Sequence, residues 1–287
     1  MLPHRSAPLR REAAGYAVTL LPALPYDVTY TSDHHVIGFT FGRQEGVDAF
    51  ASDRRRPFRA EPWRLAFTPA GCEVFSASSK GGEYMVLSVT PERLERLGPG
   101  LDRARLPQFT NLADPRFTPL AMALRRAVCA GEAMEGLGIE VIATAAAERV
   151  AAQMDKRTAT VGAARGMTPW RMRRVLEYLE VHLEKDVRLA DIARLVDVSE
   201  AYLARAFKAA TGTTLHAALV ELRIARAWWL MNDARRRRAE LRLADIAAQS
   251  GFSSHAHLTT AFRRVLGTTP SQWKRMLTGD GAISRIP

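Results

Sequence analysis

The sequence predicts an α+β chain in two parts: a β-rich N-terminal half closed by a helical hairpin, then an all-α region with two helix-turn-helix units. Three observations lead there. The chain of 287 residues is longer than one compact core usually organises. Short runs rich in β-branched and aromatic residues fill the first hundred positions. A segment of about 26 residues occurs twice near the C-terminus.

The strand runs are Tyr16–Leu21, Val36–Phe41, Trp63–Phe67 and Tyr84–Val89. Turn residues separate them, among them Pro69-Ala-Gly71 and Lys80-Gly-Gly82. Short strands at this spacing suggest an antiparallel barrel or sandwich. Helical pattern follows. Asp114-Pro115 reads as an N-cap and first-turn proline, after which Leu120, Leu124 and Val128 recur every fourth position. A second helix is expected from about Ile139 to Met154, with Ile139, Ile142, Ala146 and Val150 on one stripe. These features define a first domain over residues 1–155. Residues 156–167 are small, polar and basic and read as a linker. Thr168-Pro169 opens a new helix whose buried stripe is Met172, Val175, Leu176, Leu179 and Leu183. The all-α domain spans 168–278, and 279–287 form a tail.

Charge is divided as unevenly as structure. Residues 1–160 hold 20 basic and 18 acidic side chains, whereas 161–287 hold 21 and 12, so nearly all of the net +11 lies in the last part. A surplus confined to one domain points to a polyanion partner for that domain. Cys72 and Cys129 stand 57 positions apart, too few and too separate for a disulfide framework or a zinc knuckle. No run approaches a membrane span or a signal sequence, and the expected compartment is the cytoplasm, with no membrane partner.

The duplication carries the most information. The first copy, 189–214, reads LADIARLVDVSEAYLARAFKAATGTT, and the second, 243–269, reads LADIAAQSGFSSHAHLTTAFRRVLGTT. Twelve positions are identical once a one-residue shift is allowed after the serine. Each copy has the grammar of a helix-turn-helix, placed at about 190–211 and 243–266. A short helix ends; the turn then needs a residue tolerant of positive φ, supplied by Asp197 and Gly251. Ser199 and Ser253 are placed to cap the next helix. Leu203 and Phe207, and Leu258 and Phe262, lie four apart and point inward. The opposite face presents Ala201, Ala204, Arg205 and Lys208 in one copy, and Ala256, Thr259, Thr260 and Arg263 in the other, with His255 and His257 at the start. A capped helix with a small or polar outer face suits a major groove, which admits one helix.

On these residues the region resembles the AraC/XylS family of bacterial transcription regulators. The resemblance spans about 170–277. It includes the pattern Leu222-Arg223…Arg226-Ala227…Leu230-Met231, the segment Gly251-Phe252-Ser253-Ser254, and the closing Gly267-Thr-Thr-Pro270-Ser-Gln-Trp273-Lys274. It implies a sequence-specific regulator that binds a double-stranded DNA operator, with RNA polymerase as a further partner if it activates. It also implies that Ala201, Ala204, Arg205, His255, Ala256, His257 and Thr260 read base edges. Arg205 can bond guanine O6 and N7 together, while the alanines offer only apolar contact, as to a thymine methyl. Ser199, Lys208, Arg223, Ser253, Arg263 and Lys274 are assigned to phosphates. About eleven residues, Asn232–Arg242, separate Met231 from the second copy, several more than the family's usual spacing; they include Arg235-Arg-Arg-Arg238 and read slightly better as a solvated basic turn than as a phosphate clamp.

Residues 60–90, with Thr68-Pro-Ala-Gly71, resemble cupin-like sensor barrels. By that resemblance the first domain senses a small molecule, dimerises, or both. No residue names the effector; Arg43, Arg59, Arg64 and His34–His35 are candidates to face an anion, against a bland reading as exposed strand charges and loop histidines. Two other classes stay open. A cupin-type enzyme fused to a DNA-binding tail would need clustered His and carboxylate ligands, and only His4, His34 and His35 lie in this half. No catalytic residues, metal site or cofactor are therefore assigned. A non-specific architectural protein would bind DNA without sequence preference.

Overall fold

Alternation in the N-terminal half builds two sheets, which a computed structural model of the chain shows over residues 9–97, 106–130, 136–157, 167–237 and 242–278. The strands are β1 (Leu9–Ala13), β2 (Tyr16–Leu21), β3 (Tyr26–Thr31), β4 (His35–Thr40), β5 (Gln44–Phe50), β6 (Arg56–Ala60), β7 (Arg64–Thr68), β8 (Glu73–Ser78) and β9 (Tyr84–Val89). A short helix α1 (Pro91–Leu97) and strand β10 (Phe109–Ala113) follow, then α2 (Thr118–Cys129) and α3 (Gly136–Arg157). One sheet has the order β1-β2-β9-β4-β7-β10 and the other β3-β8-β5-β6.

The two faces of the six-stranded sheet differ in chemistry. Leu65, Phe67, Ile37, Phe39, Met85, Leu87 and Val89 are buried on one face, and Phe39 packs against Phe117 at the foot of α2. The intervening residues, Arg64, Ala66, Gly38, Thr40, Tyr84, Val86 and Ser88, lie on the other face, as period-two alternation requires. Tyr84 on that face lies close enough to Tyr26 and Tyr30 of β3 to interact with both, Tyr30 itself being exposed. The Tyr84 hydroxyl lies over Gly38, where a Cβ would stand 1.7 Å from it, so only glycine fits.

Where the hairpin begins, the structure corrects the expectation. Asp114 does not cap a helix: α2 starts at Thr118, with its proline, Pro119, in the first turn and no side-chain cap. Asp114 is instead buried and receives hydrogen bonds from Arg149 Nε and Nη2 (2.8 and 2.9 Å) and Gln153 Nε2 (2.7 Å) on α3. The second helix is longer than expected at both ends. A second ion pair is deeper still. Arg125 of α2 faces Glu83 at the entry to β9, at 2.5 and 2.6 Å, under the ring of Phe41. Both side chains are almost fully buried, so each charge depends on the other for compensation.

The remaining residues form α4 (Pro169–Val181), α5 (Leu189–Leu195), α6 (Glu200–Thr211), α7 (Leu215–Arg236), α8 (Leu243–Gln249), α9 (His255–Leu266) and α10 (Pro270–Thr278). Thr168 caps α4 by accepting from the Arg171 amide, with Pro169 in the first turn, as the Thr-Pro pair implied. The chain clusters into two compact units, one built on Arg10–Arg165 and the other on Gly166–Ala209 and Thr213–Pro287. The linker residues 158–166 and the tail 279–287 lie outside the described residues.

The Glu83–Arg125 pair yields a direct expectation. Arg125→Met strands a carboxylate in the core and should cost about 3–5 kcal/mol, read as a lower urea midpoint. Adding Glu83→Gln should restore part of that loss.

Candidate nucleic-acid interface

Each copy of the repeat folds as two helices around a sharp turn. In the first, α5 ends at Leu195, and Asp197 takes φ +52°. In the second, α8 ends at Gln249, and Gly251 takes φ +78°. The left-handed residue reverses the chain so that the second helix crosses the first. Ser199 caps α6, its Oγ accepting from the Tyr202 amide at 3.2 Å.

The second copy differs from expectation at one position. Ser254, not Ser253, is the cap of α9, with its Oγ accepting from the His257 amide at 3.1 Å. The extra residue in the turn is thereby located. One residue, Val198, separates Asp197 from its cap, whereas Phe252 and Ser253 both separate Gly251 from its own. Ser253 Oγ instead meets Nδ1 of His257 at 3.2 Å. In the helical frame Ala201 corresponds to Ala256, Tyr202 to His257, Arg205 to Thr260 and Lys208 to Arg263.

The inward faces anchor both helices. Leu203 and Phe207 of α6 are fully buried, as are Leu258 and Phe262 of α9. Phe262 and Trp228 of α7 both pack edge-on against Trp273 of α10. Gly267, at φ +72°, ends α9 in the left-handed conformation that a helix terminus of this kind needs.

The outward faces carry the expected reading residues. Ala201, Ala204 and Arg205 are exposed on α6, and His255, Ala256, His257 and Thr260 are exposed on α9. Both histidines are tied locally: His255 Nε2 lies 3.4 Å from Thr259 Oγ1, and His257 meets the edge of Phe252. Of the residues assigned to phosphates, Ser199, Lys208, Ser253 and Arg263 are exposed on the same flanks. Lys208 and Arg263 also sit in last helical turns, where positive charge is favoured. Lys274 is half-buried on α10.

Arg223 is placed for a different task from the phosphate contact expected of it. It is half-buried on α7, and its Nε and Nη2 donate to the carbonyls of Leu183 and Lys185, both at 2.8 Å. Burial draws its pKa below the usual value, while Asp186 acts in the opposite sense. Arg171 of α4, which sequence reasoning passed over, similarly donates Nε to the Val196 carbonyl at the end of α5. An arginine reaching a backbone carbonyl leaves no periodic signal, so neither role was visible beforehand. The run Arg235–Arg238 begins as a continuation of α7; Arg237 pairs with Asp233 at 2.8 Å, and Arg238 lies outside the described residues.

Residues 192–276 match a family described as a helix-turn-helix domain. The HTH-type transcriptional regulator GlxA of Rhizobium meliloti is 34% identical over 101 residues, which are 35% of this chain and 30% of that one. The segment is a helix-turn-helix domain similar to that of transcriptional regulators. Regulatory protein PocR of Salmonella typhimurium is 30% identical over 115 residues, 39% of this chain and 36% of that protein. The chain therefore matches only about a third of the length of these curated relatives. Among solved structures, the C-terminal domain of AraT from Geobacillus stearothermophilus is 26% identical, covering 42% of this chain and 97% of that one at a TM-score of 0.35.

The capping assignment in the helix-turn-helix domain can be tested by stability alone. Ser254→Ala should cost about 1 kcal/mol, whereas Ser253→Ala, which leaves the cap intact, should fall within about 0.5 kcal/mol of the parent. Paired urea titrations separate the two.

Proposed function

We propose that the protein is a sequence-specific transcription regulator whose two exposed helices, α6 and α9, enter successive major grooves on one side of a DNA duplex. The observation that carries this reading is the pairing, in both copies, of a deeply anchored inner face with a small, polar or basic outer face. Successive grooves on one side lie about 34 Å apart, one helical turn of duplex. The charge surplus of the C-terminal part supports it, because phosphate neutralisation supplies most of the sequence-independent affinity. RNA polymerase is a further partner if the protein activates. A homodimer through α2 and α3 is part of the reading, supported by Leu137 and Val141, which are exposed one turn apart on α3.

Selection of bound duplexes from a random pool, followed by competition with unrelated duplex at matched salt, tests specificity; equal binding of both would overturn it. On the selected duplex, Arg205→Ala should relax the preference at a single guanine by about 1–3 kcal/mol. Arg263→Ala should weaken all sequences alike and lower the salt slope by about one.

The first domain is read as the sensor, and a small carboxylate is the effector class that its interior favours. Four of the five candidate anion-facing residues are engaged. Arg43 and Arg59 pair with Glu61 at 3.1 and 3.3 Å. His35 is buried, its Nδ1 accepting from the Ala70 amide, and His34 is paired with Asp33. Arg64 differs. It lies on the face between the sheets, beside Thr40 and Tyr84, and its guanidinium makes no hydrogen bond among the described residues. Burial lowers its pKa, with Glu61 opposing, so a desolvated cation stands ready for an anion. Tyr84 beside it is driven far above the phenol range, chiefly by burial and then by Tyr30 and Tyr26, and so stays a neutral donor.

Thermal-shift titration with benzoate and hexanoate against their amides is the check. A bound carboxylate at a hundredfold excess over its Kd adds about 2.7 kcal/mol, the amides should add none, and Arg64→Met should abolish the effect.

A further inference from the structure

α7 is the covalent bridge between the two helix-turn-helix units, and Arg223 sits near its middle. The two carbonyls that it reaches, Leu183 and Lys185, belong to the loop that delivers α5, the first helix of the first unit. On the far side stands Gly251, the turn residue of the second unit. It approaches so closely that a Cβ there would lie 1.9 Å from the Leu183 oxygen and 2.8 Å from Arg223 Nε. One carbonyl and one guanidinium are thus shared by the bridge, the approach to the first unit and the turn of the second. A planar fork can hold two carbonyls in a fixed relation, which a lysine ammonium cannot reproduce. The absence of a side chain at Gly251 is what lets the second turn seat against them.

We propose that Arg223 is a positioning residue that fixes the separation and angle of α6 and α9, so that the domain accepts one spacing between its two contact sites on DNA. The inference rests on the proposed reading of α6 and α9 as the DNA-entering helices. Moving one contact site by a single base pair displaces it by about 3.4 Å and turns it by about 35° around the duplex axis. A junction held at Leu183, Arg223 and Gly251 resists that change. A loosened junction tolerates it.

The test uses the full-length chain and the duplex selected from the random pool, together with versions one base pair longer and one shorter between the two contact sites. The parent protein should favour the selected spacing at least tenfold. In Arg223→Gln and Arg223→Lys the preference should shrink to about threefold or less, a change within the range measured for residues coupled through shared contacts. The salt slope should stay at the parent value. Gly251→Ala, which disturbs the same junction without touching a charge, should narrow the preference likewise. Amide exchange should rise in 183–187 and 250–253 while α9 stays protected. Uniform weakening at all three spacings, with the preference intact, would overturn the proposal. A salt slope lower by about one would overturn it too, returning Arg223 to a phosphate. So would full retention of the preference in Arg223→Lys, the variant that decides the matter if Arg223→Gln fails to fold. If no duplex is selected at all, the reading of the whole domain fails instead, a result distinct from any of these.

Discussion

A helix can offer its outer face to a groove only while its inner face is held. In this protein that hold is made by pairs of apolar side chains four residues apart, Leu203 with Phe207 and Leu258 with Phe262, each buried on its own helix. Neither α6 nor α9, at 12 residues, is long enough to be stable alone in water. Their direction is set by this packing, by the left-handed turns at Asp197 and Gly251, and by the caps at Ser199 and Ser254. Exposure of small and polar residues on the opposite faces follows from the same anchoring.

The C-terminal architecture was legible because period and punctuation agree there. Apolar residues recur at helical spacing, and a glycine, a serine or a proline marks nearly every boundary. Ser253 shows where that grammar stops being decisive. Two adjacent serines can both cap, and only the path of the turn chooses Ser254. Arg223 marks a second kind of limit. Sequence pattern marks an arginine as basic but not whether it meets solvent or a carbonyl 40 residues away.

The N-terminal half was legible in its buried strands and less so elsewhere. The largely apolar runs at Tyr16–Leu21 and Tyr84–Val89 are strands β2 and β9, at the bounds expected. β1, β3, β5, β6, β8 and β10 escaped; their segments are partly exposed and mix polar or charged residues with apolar ones, so no apolar run marks them. The Asp114-Pro115 pair misled for a different reason. Asp114 does bond locally, its Oδ1 accepting from the Arg116 amide at 3.1 Å, but that bond closes a turn ahead of α2, and Arg149 and Gln153 from α3 share the carboxylate. Local and tertiary bonds meet on one carboxylate.

The single inserted residue ahead of Ser254 is confined to its turn, and α6 and α9 run in the same frame from their caps onward. With that residue taken up in the turn, matching helical positions carry unlike side chains, Arg205 standing at the place that Thr260 holds in the other copy. A reader with two different ends has a head and a tail. On the proposed reading the two headings of a lone chain on a duplex are unequal, and its contact site has no need of mirror symmetry.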